Sequence, residues 1–125
     1  MPRERIEMSR EEILALLAQT RWVVLGTLSA AGEPAGHVVP CALEGERLYF
    51  AVPPGSDAQR QIQRDPRVCA ATDRYPTYYE IRGVTVHGRA EPAAAPPGLR
   101  AAGATYALPL DDLVSFDFSK IQAKV

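Results

Sequence analysis

Cysteine is scarce in this chain: Cys41 and Cys69 are the only two in 125 residues. Both sit in apolar, strand-like segments, which reads as a pair of buried thiols rather than a disulfide framework. Histidine is equally rare, with His37 and His87 alone, and no His/Cys/Asp/Glu spacing has the pattern of a zinc site. Long apolar runs are missing too. None approaches the ~20 residues that a membrane-spanning helix needs. The opening MPRERIEMSREE is polar and carries both charge signs, without the apolar centre of a signal peptide. The expectation is a cytoplasmic protein with no membrane contact. Charge of one sign is not in excess either. Lys and Arg number 14 against 15 Asp and Glu, a net −1, so nothing in the overall charge points to nucleic acid. No nucleophile–base pair can be argued from the sequence.

What is present is one domain's worth of ordinary globular chain. Apolar residues make up 46% and charged residues 23% of residues 1–125, and a domain of this length buries roughly two-thirds of its unfolded surface. SREEILALLAQ (9–19) predicts a helix: Ser9 and Glu12 have capping-box spacing, and Ile13, Leu16 and Leu17 form one stripe. RWVVLGTLS (21–29) predicts a strand that is apolar on both faces, with Trp22 in the core or at an interface. AAGEP (30–34) predicts a turn at Gly32, AGHVVPCAL (35–43) the returning strand, and RLYFAV (47–52) a third. Pro40 would interrupt a central ladder, so a bulge or an edge is expected there.

SDAQRQIQRD (56–65) predicts a short helix that stops before Pro66, with Ser56 and Gln59 as a second capping box. RVCAATD (67–73) is a fourth strand, EIRGVTVHGRAEP (80–92) one long fifth strand, and LVSFDF (113–118) the last. LRAAGATYAL (99–108) predicts a weak helix after a Pro-rich linker at 93–98. The tyrosines of RYPTYY either cover one end of the fold or stack on a planar ligand. Six short strands with two or three small peripheral helices give a mainly β, antiparallel barrel. Strands with two apolar faces need a cover outside the barrel, and a second copy supplies one, so a homodimer is expected.

The Gly55-Ser56 helix start has two readings. Free amides and the positive end of the helix dipole attract an anion, and Arg60 and Arg64 follow on one helix face. Asp57, in the first turn, already satisfies the dipole and repels a phosphate, so a plain N-cap explains the same residues. His37 stands on an apolar strand, where it either touches a ligand or is a partly buried polar residue with its own partners. His87 faces solvent or an interface.

Taken in order, LGTLSAAGEPAGHVVPCALEGERLYFAV, GSDAQRQIQRDPRV and IRGVTVHGRAE resemble the FMN-binding split β-barrel proteins, the pyridoxamine 5′-phosphate oxidase-like superfamily. The likeness covers roughly residues 10–92 and is closest to the short members that use FMN or the deazaflavin F420. The resemblance implies a homodimer with a flavin in each of two interface grooves. It also implies hydride transfer to a small-molecule substrate, with the chemistry carried by the cofactor. It assigns Ser56 and Arg60 to the phosphate, and His37, Val38, Val39 and Pro40 to the ring and ribityl chain. Arg82 and Gly83 match the family's Arg-Gly at the start of the long strand. One departure stands out: members commonly read Ser-Arg-Lys where this chain has Ser56-Asp57-Ala58. The family's C-terminal substrate motif is not found after residue 92, so pyridoxamine phosphate oxidation itself is not expected. The alternative implied is a split-barrel module that binds or senses flavin or haem without redox turnover.

Overall fold

Local capping sets the first element. In the computed structural model, which describes residues 5–75, 80–99 and 103–122, helix α1 spans Arg10–Ala18. Ser9 Oγ accepts the Glu12 N–H at 3.1 Å, and the Glu12 carboxylate accepts the Ser9 N–H at 2.8 Å. This is the reciprocal box that the sequence predicts. Ile13, Leu16 and Leu17 are buried against the sheet, a gain of about 1.5–3 kcal/mol for each side chain fully removed from water.

Among the described residues, eight strands follow. They are β1 (Trp22–Leu28), β2 (Pro34–Glu44), β3 (Arg47–Val52), β4 (Arg67–Arg74), β5 (Arg82–Arg89), β6 (Glu91–Pro92), β7 (Ala104–Pro109) and β8 (Asp112–Asp117). Helix α2 (Asp57–Arg64) separates β3 from β4, and α3 (Ser119–Gln122) ends the described chain. All strand pairs are antiparallel, in the order β6-β7-β3-β2-β1-β4-β5-β8. Gly32, at φ +78°, makes the β1–β2 turn, a conformation that glycine adopts without strain.

The interruption expected at Pro40 takes the form of a change of partner. Residues 34–40 of β2 pair with β1, and residues 41–44 pair with β3. Because pairing with β3 begins only at Cys41, the missing proline N–H costs no ladder bond on that side. β2 thus belongs to both halves of the sheet, which curls round a common core into a half-barrel. Leu25, Leu48, Phe50, Val86 and Leu108 are fully enclosed there, and the Phe50 and Tyr106 rings stack with centroids 5.7 Å apart.

Two expectations are corrected. The long strand over 80–92 breaks at Ala90, whose N–H turns to Pro66 O at 2.8 Å. The chain then crosses to the other half of the sheet, where β6 pairs with β7. The helix expected over 99–108 gives way to β7 at residues 104–109. Its alanines favour helix locally, but six register pairs with β3 and burial of Tyr106, Ala107 and Leu108 decide for strand. The backbone passes so close at Gly103 that a Cβ there would lie 2.6 Å from Val52 O. These two changes raise the strand count from six to eight.

The N- and C-terminal segments clasp. Met8 N–H donates to Ser115 Oγ (2.9 Å), Asp117 N–H to Ile6 O (2.7 Å), and Lys120 Nζ to Glu7 O (2.9 Å) and Glu12 (2.6 Å). No helix among the described residues is long and apolar enough to cross a membrane. Most of the tyrosine-rich turn falls at residues 76–79, outside those described.

Candidate functional site

The α2 corner is built by short-range chemistry. Gly55, at φ +72°, lets the chain turn after Pro53-Pro54. Ser56 caps the helix, its Oγ accepting the Gln59 N–H at 3.2 Å. The Gln59 side chain accepts from Gly55 N–H at 2.6 Å rather than from Ser56, whose N–H goes to Pro53 O at 3.2 Å. The second capping box is therefore formed one residue out of register. Arg60 folds back over the same corner, donating to Gly55 O and to the Asp57 carboxylate. Arg64 turns away and donates to Leu28 O at 2.9 Å. The corner is thus closed by its own groups, and it meets a phosphate only where the exposed Arg60–Asp57 pair opens.

β2 splits the other candidates between two faces, because side chains alternate along a strand. His37 and Val39 point inward. Val39 is core, and His37 Nε2 lies 3.0 Å from Thr27 Oγ1 and 3.3 Å from Gln61 Oε1. Thr27, itself buried, donates to Gln61 at 2.5 Å. The three side chains form a closed polar group beneath α2, so His37 has its own partners. Val38 and Pro40 point outward.

Register fixes which residues share that outer face. One cross-strand row reads Val38, Val24, Ala71, Thr85 and Val114. It is an apolar stripe in which Val38 is 71% exposed, Val24 51% and Val114 59%. Further along the same face Pro40 stands opposite Trp22, and Gly83 stands between Asp73 and Phe116. Gly83 has a packing reason to be glycine: a Cβ there would lie 2.9 Å from the Phe116 ring and 3.0 Å from Thr72 O. Arg82, beside it, has its Nε buried without a hydrogen-bond partner among the described residues.

A cleft of roughly 810 Å³ opens where β2 changes partner. Trp22, Pro40 and Ala42 line it from the sheet, Pro97-Gly98-Leu99 from the facing loop, and Arg21 joins them. Trp22 is 59% exposed, and Arg21 has no carboxylate partner among the described residues. An aromatic face beside a free guanidinium suits a planar, anionic guest. The Cys41 thiol on the inner side donates to Thr20 O at 3.6 Å, and burial pushes its pKa up to about 12, so it is inert. Of the expected site residues only Pro40 lines this cleft. Arg21 was legible only as the first residue of a strand, Pro97 and Gly98 only as the end of a linker, and Leu99 only as the start of a helix. The pairing of the chain's single tryptophan with an adjacent arginine was the one local signal available.

Among the described residues no three His, Cys, Asp or Glu side chains are gathered to hold a metal ion. The cleft at Trp22 offers an aromatic face and a guanidinium to a planar, anionic group. At the Ser56 corner, Arg60, which the resemblance assigns to the phosphate, is paired with the exposed Asp57.

The sequence profile of the pyridoxamine 5′-phosphate oxidase family matches residues 9–124. No curated protein matches the sequence. Among solved structures, a conserved hypothetical protein of Mycobacterium tuberculosis is 22% identical, with a TM-score of 0.81 over 98% of this chain and 92% of the other. An FAD-binding protein of Mycobacterium smegmatis is 13% identical, with a TM-score of 0.72 over 89% of this chain and 95% of the other. An F420 reductase is 20% identical, with a TM-score of 0.64 over 80% of this chain and 94% of the other. These likenesses show the same fold.

Proposed function

Because the chain belongs to the pyridoxamine 5′-phosphate oxidase family, we propose that it binds a flavin-type cofactor as a homodimer. Each ring would lie in the cleft at Trp22 and Pro40, with a second copy covering the apolar stripe of the outer face. When bound, the cofactor supplies hydride transfer to or from a small organic substrate. This chain's residues supply the aromatic wall at Trp22, the cation at Arg21 and exclusion of water by the loop at 97–99.

The observation that carries this reading is the cleft itself: about 810 Å³, aromatic on one side and cationic at Arg21. The names of the flavin-binding and F420-reducing neighbours agree with it. Arg60 is held by Asp57, and Ala58 stands where the family carries lysine. Both features favour a dissociable cosubstrate such as F420 over tightly held FMN. They equally support a second reading, a module that binds or senses a flavin or haem without turnover. Reduction of an added substrate by the loaded protein separates the two.

Val24→Asp tests the dimer and the site together. A charge in the middle of the apolar stripe should give a monomer by sedimentation, with the far-UV spectrum unchanged and cofactor affinity reduced at least tenfold, a loss of about 1.4 kcal/mol. Wild-type protein that sediments as a monomer, or a variant that still dimerises and binds normally, rules this arrangement out.

A further inference from the structure

The outer face of β2, β1, β4, β5 and β8 has a high point and a low point, and Val24 lies midway between them. On β1, Trp22 stands two residues before Val24 and Gly26 two residues after it, so all three positions share that face. Each is about 7 Å from Val24 along the strand. Trp22 projects a half-exposed indole. Gly26 projects nothing, and its neighbours across the ladder are Gly36 and Cys69. The bare backbone leaves a trough of about 240 Å³, lined by Gly26, Leu28, Pro34, Arg67, Cys69 and His87. The Cys69 sulfur takes the place of a side chain on Gly26: a Cβ there would lie 2.7 Å from Sγ. Sulfur, apolar stems and a guanidinium are all good neighbours for an indole ring.

Charge is divided along the same direction. Arg67 and Arg89 are cross-strand neighbours at the Gly26 end of the face, with Asp65 beside Arg67. Asp73, farther along β4, stands at the Trp22 end.

Sheets that pack face to face stand about 10 Å apart, so a large side chain on one must meet a small one on the other. We propose that two copies of this chain stack outer face to outer face about a two-fold axis running along the Val38–Val24–Val114 stripe, so that Trp22 of each copy enters the Gly26 trough of the other. This axis runs the two β1 strands antiparallel, with Val24 over Val24. It also lays the Arg67–Arg89 end of each copy over the Asp73 end of its partner. An axis along the strands does neither. It sets the two arginine pairs side by side and brings Trp22 over the Gly83 end, where the Phe116 ring already fills the space above the glycine. The inference rests on the homodimer of the proposed function and adds what one copy gives the other. The partner's trough fixes the indole that walls the cleft, so neither cleft is complete in a single chain.

Sedimentation of the full-length chain reads the dimer, and cross-linking with a short bismaleimide reads its orientation. Trp22→Cys should be joined to Cys69 of the second copy, found by mass mapping and lost when Cys69→Ser is added. Should Trp22→Cys itself sediment as a monomer, Val24→Cys in a Cys69→Ser background decides. Cys41 is buried, so residue 24 is then the one accessible thiol, and it should join its own counterpart across the axis. A dimeric Trp22→Cys that does not join Cys69, or a dimeric Val24→Cys that does not join itself, overturns this orientation and leaves the flavin reading in place. Wild-type protein that sediments as a monomer overturns both.

Discussion

Arg60 and Asp57 face each other one turn apart on α2, and their pairing decides what the corner can offer an anion. An exposed ion pair is worth at most about 1 kcal/mol, so it yields to a phosphate but reduces the affinity. Asp57→Ala should therefore free Arg60 and raise FMN affinity by up to about fivefold. Arg60→Ala should lower it about 10–100-fold if the guanidinium reaches the phosphate, the loss of a charge-assisted bond of about 1.5–3 kcal/mol. Calorimetric titration of both variants checks this. Unchanged affinity in both makes Ser56 a helix cap and nothing more. Ser56 was legible as a cap because its partner, Gln59, lies three residues away. The fold-back of Arg60 onto Gly55 O was not, since it depends on a turn that Gly55 creates. His37 could be placed on a strand from sequence, but its face could not. Its partners, Thr27 and Gln61, come from two other elements.

At the scale of elements, the clasp between the α1 start and the chain's C-terminal segment responds to pH. Glu12 is held down to about 2, first by its hydrogen bond to Lys120 and then by the Ser9 N–H. Its folded pKa lies below its ordinary value of 4.5, so its contribution to stability is present above that value and is lost as pH falls through about 2. Lys120→Met should lower the melting temperature at neutral pH by up to about 4 °C, since both side chains are partly exposed. At about pH 2 the variant and the wild type should melt together. An equal deficit at both pH values would assign the effect to packing. Strands β1 to β5 were readable because their apolar patterns and turn residues agree. β7 was not, because its alanine-rich segment is decided by its pairing with β3, more than fifty positions earlier in the chain.

At the scale of the molecule, one strand shared between two halves of a sheet creates both the bend and the cleft. The sequence carried the order of elements and the family likeness, which suffice for the half-barrel. It could not carry the cleft, whose walls at Arg21, Trp22, Pro40 and the 97–99 loop meet only after β2 changes partner. Trp22, the only tryptophan and the exposed aromatic wall of the cleft, reports directly on occupancy. Its fluorescence should be quenched saturably when the protein is titrated with F420 or FMN, with tighter binding for F420. Emission that stays unchanged through millimolar concentrations of both would contradict a flavin-type cofactor in this cleft.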